Sequence, residues 1–552
     1  MENKLKARHP RGLYVLFFTE MWERFGYYLM VGIFLLYMID PTKNGGRGFN
    51  LGDAADIVGT YVALVYLTPF IGGLLADKVL GYRLSIVLGG TLMAAGYFGL
   101  AFQSDTAMYV SCLLIIIGNG FFKPNISTLL GNMYNKEELL PLKDSAYNIF
   151  YMGINIGAFF CNFVAAYLRN EYGWGYAFAA AGVGMIIGLI WFLAGTKHIK
   201  DADVRKPTQE GDMSAAKVIL FVFVPALVFG WIGWMIPGNF SGRDATDAFF
   251  CACIPITVFY ISLYVRAKKE DKRGIGALLA IYVVSIIFWI IYNQNATGLT
   301  IWAESYTNRQ IPESLAPVAQ KFSLLQKVNT NEEDSLPVLD RYFRSVTDNK
   351  GNPVIGSGVV AYFKNLPKDK WPPAGKDVSL VNAEIFQSIN PFFIVMFTPL
   401  VLGIFGWFTR RGKPISTPAK IVYAMIFTGL SALVMVFAVY STDIYTNKAM
   451  AFWLISSYGV FTIGELCISP VGLSLVSKLA PQRLTALMMG GWFLTTSIGG
   501  KLSGILASSW NSFEDKSTYF WILTLICVVA ALAMIFMLKW LREIVKEKTG
   551  HI

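Results

Sequence analysis

The chain has 552 residues, of which 55% are hydrophobic and 15% charged, with a formal net charge of +11. A soluble protein carries about 25% charged residues, so the composition excludes an ordinary soluble globular chain and points to an all-α membrane protein with much of its surface in lipid. The Lys and Arg excess lies in the loops between apolar segments, which reads as a topology signal and argues against nucleic-acid binding.

In chain order, a basic stretch from Lys4 to Arg11 runs straight into an apolar segment without a cleavage-site pattern. A first spanning helix is expected there, and no removable signal peptide. A span needs about 20 apolar residues. Such segments fall at 13–39, 54–76, 84–103, 107–131, 146–168, 175–195, 217–237, 247–266, 275–302, 385–408, 418–440, 449–477, 484–508 and 518–540, which predicts fourteen transmembrane helices. Alternate loops hold the basic residues, among them Lys78 and Arg83, Arg205 and Lys206, Arg410 and Arg411, and Lys478 and Arg483. This bias places both termini on the cytoplasmic side.

The expected organisation is a six-helix bundle over 1–196, a cytoplasmic linker at 197–216, an inserted two-helix hairpin at 217–272 and a second six-helix bundle over 273–552. Within the second bundle, residues 303–384 form a long outer insertion rich in proline and mixed charge. Composition leaves open whether this is a small subdomain or a mobile flap. The fourth segment and the one at 449–477 look related. One reads Gly120-Phe-Phe-Lys123-Pro124-Asn125-Ile-Ser127 and the other Gly464-Glu465-Leu-Cys-Ile-Ser469-Pro470. Each sets a lone charge just before a mid-helix proline, and paired interruptions in two halves point to a transporter's binding site.

Charges inside spans are the sharpest signal, because each costs roughly 2.5–3.5 kcal/mol at the helix centre. Glu20, Glu23 and Arg24 stand at i, i+3 and i+4, on one helical face, with Arg24 able to hold Glu20. They form either a proton-exchanging cluster or a structural salt bridge. Lys123 and Glu465 have opposite signs and come from opposite halves, so a contact across a central cavity is expected, with separate local pairing as the alternative. Lys501, near the outer end of its helix, is expected to snorkel. Tyr27, Tyr28, Tyr66, Trp289, Tyr292 and Trp492 lie near these charges and suit the walls of a cavity for small amphipathic solutes. The spacings Gly153–Gly157 and Gly500–Gly504 suit close helix packing. The six cysteines lie in apolar segments, which argues against a disulfide framework or a zinc site. None of the three histidines lies in a span, so if protons drive transport, carboxylates must carry them.

Several stretches resemble the proton-dependent oligopeptide transporter (POT/PTR) family of the major facilitator superfamily. They are Glu20-Met-Trp-Glu23-Arg24-Phe25-Gly-Tyr27-Tyr28, Phe122-Lys123-Pro124-Asn125, Phe150-Tyr151-Met152-Gly153-Ile-Asn155-Ile-Gly157 and Glu465 with Ser469-Pro470. The loop from Gly73 to Arg83, with Asp77 and Gly81, is similar to the superfamily's loop between its second and third helices. The resemblance implies a major facilitator fold of two six-helix bundles plus two extra helices, as in prokaryotic members. It implies a bacterial inner-membrane location and proton-coupled import of di- and tripeptides by a monomer, with no cofactor beyond the proton. Carried over by position, the coupling residues are Glu20, Glu23, Arg24 and Glu465. The substrate residues are Arg24, Tyr27, Tyr28, Tyr66, Lys123, Asn155, Asn390, Glu465, Trp492 and Thr496. A peptide's carboxylate would then meet Arg24 and Lys123, and its amine Glu465.

Two positions depart from the family pattern. Val31 stands where a second arginine is usual, and Asn293 stands where the seventh helix usually carries an acid before its glutamine. Asn293 cannot titrate, so coupling falls to the other carboxylates or is altered. A carrier of the same fold for a non-peptide solute (nitrate, an organic anion or a modified amino acid) is the alternative. A membrane enzyme is disfavoured, since the spans offer no paired metal ligands and no nucleophile constellation.

Overall fold

The computed structural model describes residues 8–204, 215–238, 241–312, 314–340, 343–344, 346–349, 354–481 and 484–549. The chain begins with α1 (Arg11–Ile39), α2 (Leu51–Leu75), α3 (Tyr82–Gly99), α4 (Asp105–Met133), α5 (Lys143–Tyr172) and α6 (Trp174–Gly195). Next, α7 (Ala215–Val218) passes through a π turn into α8 (Val224–Trp234), followed by α9 (Asp244–Val265), α10 (Lys269–Tyr292) and α11 (Gly298–Ser305). The short α12 (Ala316–Lys321) lies in the outer insertion. The chain ends with α13 (Ile389–Arg410), α14 (Thr417–Ser441), α15 (Ala451–Leu479), α16 (Thr485–Ser508) and α17 (Lys516–Thr549).

Among the described residues, ten helical stretches are long and apolar enough to cross a membrane by length and composition. Apolar side chains also cover the outside of the molecule. Leu227 is 73% exposed and Phe536 94%, a surface that water would not tolerate but lipid does. The ends of the helices show how local sequence sets them. Asn50 caps α2 by accepting from the Asp53 N–H at 2.8 Å. Gly173, at φ +94°, is the single residue between α5 and α6, a conformation that few other residues adopt. Asp203 at the start of the linker accepts the Tyr82 N–H at 2.8 Å and so caps α3. The side chains of Asp77 and Lys78, of Pro470, and residues 205–214 and 482–483 lie outside the described residues.

The segment expected as one span at 275–302 is broken. α10 stops at Tyr292, Asn293–Ala296 forms a 3₁₀ turn, and α11 starts at Gly298. The run Asn-Gln-Asn-Ala-Thr-Gly explains it, because short amide and hydroxyl side chains compete for backbone groups. Asn293 Nδ2 donates to the Trp289 carbonyl at 2.8 Å, and Thr297 Oγ1 to the Asn293 carbonyl at 3.0 Å.

The described residues of the insertion at 303–384 are folded. β1 (Thr307–Asn308) pairs in parallel with β6 (Ala449–Met450). β2 (Leu325–Val328) pairs antiparallel with β5 (Val378–Val381), and β3 (Glu333–Pro337) with β4 (Ile355–Gly358). It has a small core of Val328, Tyr362, Phe363 and Leu380. Half-buried Lys448 fastens it to the start of α15, its ammonium donating to the Ser305 carbonyl and to Asn365 Oδ1, each at 2.6 Å. The insertion also reaches α5. Asn170 and Asn382 exchange hydrogen bonds at 3.1 Å, and Arg169 meets Glu384 at 3.3 Å.

Candidate functional site

The site begins with how α1 is held. α5 presents Gly153 and Gly157 to α1, and a Cβ at Gly157 would lie 2.3 Å from the Met21 carbonyl oxygen. Only a missing side chain allows that approach, so the expected glycine pairing is a contact between α1 and α5. It fixes the depth and rotation of the α1 charges.

Arg24 is 2% exposed, Glu23 0% and Glu20 3%. Arg24 grips Glu23 with a fork: Nε donates to Oε2, and Nη2 donates to Oε1 at 2.5 Å. Glu20 Oε1 stands 3.6 Å from Arg24 Nε, an ion-pair distance outside hydrogen-bond range. The expected i,i+4 grip on Glu20 is thus secondary. The bidentate geometry of a carboxylate against a guanidinium outweighs the usual separation of sequence neighbours on a helix. Asn119 of α4 adds a 3.4 Å hydrogen bond to Glu23 Oε1. Glu20 Oε2 is buried without a partner among the described residues, an expensive state for an ionised oxygen.

Arg24 lies 4.7 Å from the Tyr27 ring centroid and 6.0 Å from that of Tyr28. Lys123 of α4 places its ammonium 4.0 Å from the Tyr66 centroid of α2. Both are cation–π arrangements. Pro124 removes the N–H that would bind the Gly120 carbonyl. Gly72 of α2 packs there, where a Cβ would lie 2.0 Å from that carbonyl oxygen. The proline thus lets α2 come close to α4 and brings Tyr66 under Lys123.

The other half supplies Glu465 from α15, buried at 4% exposure. It accepts from Asn390 Nδ2 at 2.9 Å, and Asn390 also lies 3.0 Å from Thr462 Oγ1. Among the described residues no cation lies within 4 Å of Glu465 and no carboxylate within 4 Å of Lys123. The expected contact between these two is not made. Each is held within its own half, Lys123 by Tyr66 and Glu465 by Asn390. What crosses the middle is Tyr28 Oη, 3.4 Å from Tyr292 Oη of α10.

Three candidates are placed by packing or by their own helix. Asn155 donates to the Tyr151 carbonyl at 2.9 Å. Trp492 packs on Gly472 and lies 6.5 Å from Tyr282, ring to ring. Thr496 is buried one turn further along α16. Lys501 overturns its expectation. It does not snorkel but is 0% exposed, with its ammonium 2.7 Å from Asp56 Oδ1 and 2.8 Å from Thr60 Oγ1 of α2. Sequence reading also passed over Asn119, Thr462 and Asp56. Asn119 and Thr462 are neutral and gave no signal against an apolar background. Asp56 sits close enough to the start of α2 to read as a helix-end acid.

A family model described as POT family matches residues 83–328 and 377–522. The chain is 33% identical to an uncharacterized transporter, YclF, of Bacillus subtilis (strain 168), over 94% of this chain and 92% of that one. It is 28% identical to a di-/tripeptide transporter of Lactococcus lactis subsp. lactis (strain IL1403), over 88% and 87% of the two chains. Among solved structures, a mutant of a peptide transporter POT in complex with alafosfalin superposes with a TM-score of 0.74 at 28% identity, covering 97% of this chain and 96% of that one.

Proposed function

Because the chain belongs to the POT family, we propose that it imports di- and tripeptides in symport with protons, by alternating access of two six-helix bundles. It is a transporter and not an enzyme, as its relatives are. The reading takes fourteen spans, both termini inside, a bacterial inner membrane and a monomer as its frame.

One observation carries the peptide reading. Two cations, Arg24 and Lys123, sit on α1 and α4, and a carboxylate with an amide, Glu465 and Asn390, sits on α15 and α13 across a pair of tyrosines. A short zwitterion needs opposite charges on opposite walls, a few residues apart. The carboxyl end of a peptide would draw Lys123 off Tyr66, and its amine would replace Asn390 at Glu465. Tyr27, Tyr28, Tyr66 and Trp492 would wall the space for side chains, with Asn155 and Thr496 beside the peptide backbone. The named substrates of the Lactococcus relative support the same solute class.

The proton reading rests on buried carboxylates, Glu20 and Glu23 beside Arg24 and Glu465 beside Asn390. Asn293 is spent on closing the broken helix, so coupling falls to Glu20, Glu23 and Glu465. A proton on Glu23 would loosen the Arg24 fork and free the guanidinium for substrate. A membrane potential of about 100 mV contributes roughly 2.3 kcal/mol per proton, or about fifty-fold accumulation.

Uptake of a labelled dipeptide into proteoliposomes tests both parts. Accumulation driven by an inward proton gradient and abolished by a protonophore is expected. Uptake that ignores the gradient overturns the coupling, and a dipeptide panel that neither competes nor raises the melting temperature overturns the substrate class.

A further inference from the structure

The Asp56–Lys501 pair has no part in the site above, yet it is the most deeply buried ion pair joining the N-terminal helices to the C-terminal ones among the described residues. Asp56 is 4% exposed and Lys501 0%. Their contact at 2.7 Å ties α2 to α16, and Thr60 accepts from the same ammonium at 2.8 Å. A third element completes the cluster. Thr246, in the first turn of α9, donates to Asp56 Oδ1 at 2.9 Å. At the surface above, Arg243 meets Asp53 at 3.3 Å. Around the pair the seam is shut at backbone distance: a Cβ at Gly59 would lie 2.7 Å from the Gly504 Cα. One turn deeper, Ser497 Oγ donates to the Ala63 carbonyl at 2.7 Å.

A permanent seam has no need of buried ions. Well-packed apolar side chains hold such a joint as well or better, because desolvating two charges costs about what their attraction returns. An interface that must part and rejoin is different. On parting, water takes back both ions and returns the desolvation cost. On closing, the charges fix one register. We propose that Asp56 and Lys501, braced by Thr246, form the outer latch of this carrier, and that the inserted pair α8–α9 is thereby a working part of the gate. The proposal rests on the alternating-access reading, and it assigns the hairpin a task beyond scaffolding. Removing one ion leaves the other buried and unpaired, which penalises the closed state alone.

The test is accessibility from outside. Ser497→Cys places a thiol just beneath the latch, and a membrane-impermeant maleimide reads its labelling rate, with the parent protein as background for the native cysteines. Asp56→Asn and Lys501→Met are each expected to speed labelling about five- to tenfold by shifting the balance toward the outward-open form. The swap Asp56→Lys with Lys501→Asp is expected to bring the rate back to within about twofold of the parent, and Thr246→Val to raise it about twofold. The double variant Asp56→Asn/Lys501→Met buries no unpaired charge and keeps the assay readable if the single variants fold poorly. With no stranded ion its closed state is not penalised, so it is expected to label within about twofold of the parent rate. Single variants that label at the parent rate overturn the latch, as do a double variant that labels as fast as the singles and a swap that restores nothing. No substrate enters this readout, so a failure of the peptide reading shows in uptake and a failure of the latch in labelling.

Discussion

Glu23 and Arg24 are neighbours in sequence, which an α-helix turns about 100° apart. Their fork forms because both side chains bend back over the same buried surface, with Asn119 closing it from α4. Neutralising one partner strands the other. Glu23→Gln is expected to lower proton-driven dipeptide uptake at least about tenfold, since charge-assisted hydrogen bonds contribute about 1.5–3 kcal/mol; uptake rates in proteoliposomes check this. Glu465 has a different expected signature. If it receives the peptide amine, the parent protein discriminates a free dipeptide from its N-acetyl analogue, and Glu465→Gln binds the two alike. Competition curves with both ligands decide it. The charges themselves were legible in the sequence because lipid makes every ion conspicuous. Their partners were less so. Lys501 looked like a snorkelling end residue because Asp56 lies 445 positions away, and Lys123 and Glu465 looked like a pair because sign and position matched, whereas each meets a partner in its own half, Tyr66 and Asn390.

Between elements, glycine and proline decide how near two helices come. The Gly72–Gly120 approach leaves no room for a methyl group against main-chain atoms. Gly72→Ala is therefore expected to destabilise the protein by about 1–3 kcal/mol, read as a lower melting temperature in detergent. The apolar segments, their order and the glycine pairs were readable because a bilayer imposes one length and one solvent on every span. The break after Tyr292 was not, because hydropathy averages over the few polar residues that cause it. The fold of residues 303–384 was not either, because its strands are two to five residues long. Lys448 gives that region a pH signature. Burial holds its ammonium well below the usual lysine range, and nearby Arg309 adds to the effect. Between that lowered pKa and the ordinary value the unfolded chain binds more protons than the folded one, so stability rises with pH across this window and is lower and flat beneath it. Across that window melting temperatures should rise more steeply, or fall less, in the parent than in Lys448→Met.

At the scale of the whole molecule, the outer insertion belongs to both sides of the seam. It is fixed to α11 and α15 through β1, β6 and Lys448, and to α5 through Asn170 and Arg169. Lys43, beyond the end of α1, reaches Glu333 of β3 at 2.6 Å. In the alternating access proposed above, opening toward the outside has to undo these contacts. The pair Asn170→Cys with Asn382→Cys, joined by a short reducible thiol cross-linker, is expected to stop uptake, and reductant to restore it. A variant that transports normally when fully cross-linked would show that the insertion does not move with turnover.

The same attachment makes this surface a handle. With the insertion outside, as proposed, a macromolecule too large to enter the passage, such as an antibody fragment seated across both lips of the insertion, would arrest the machine without competing with the carried solute. Its potency would then be indifferent to how much of that solute the medium holds.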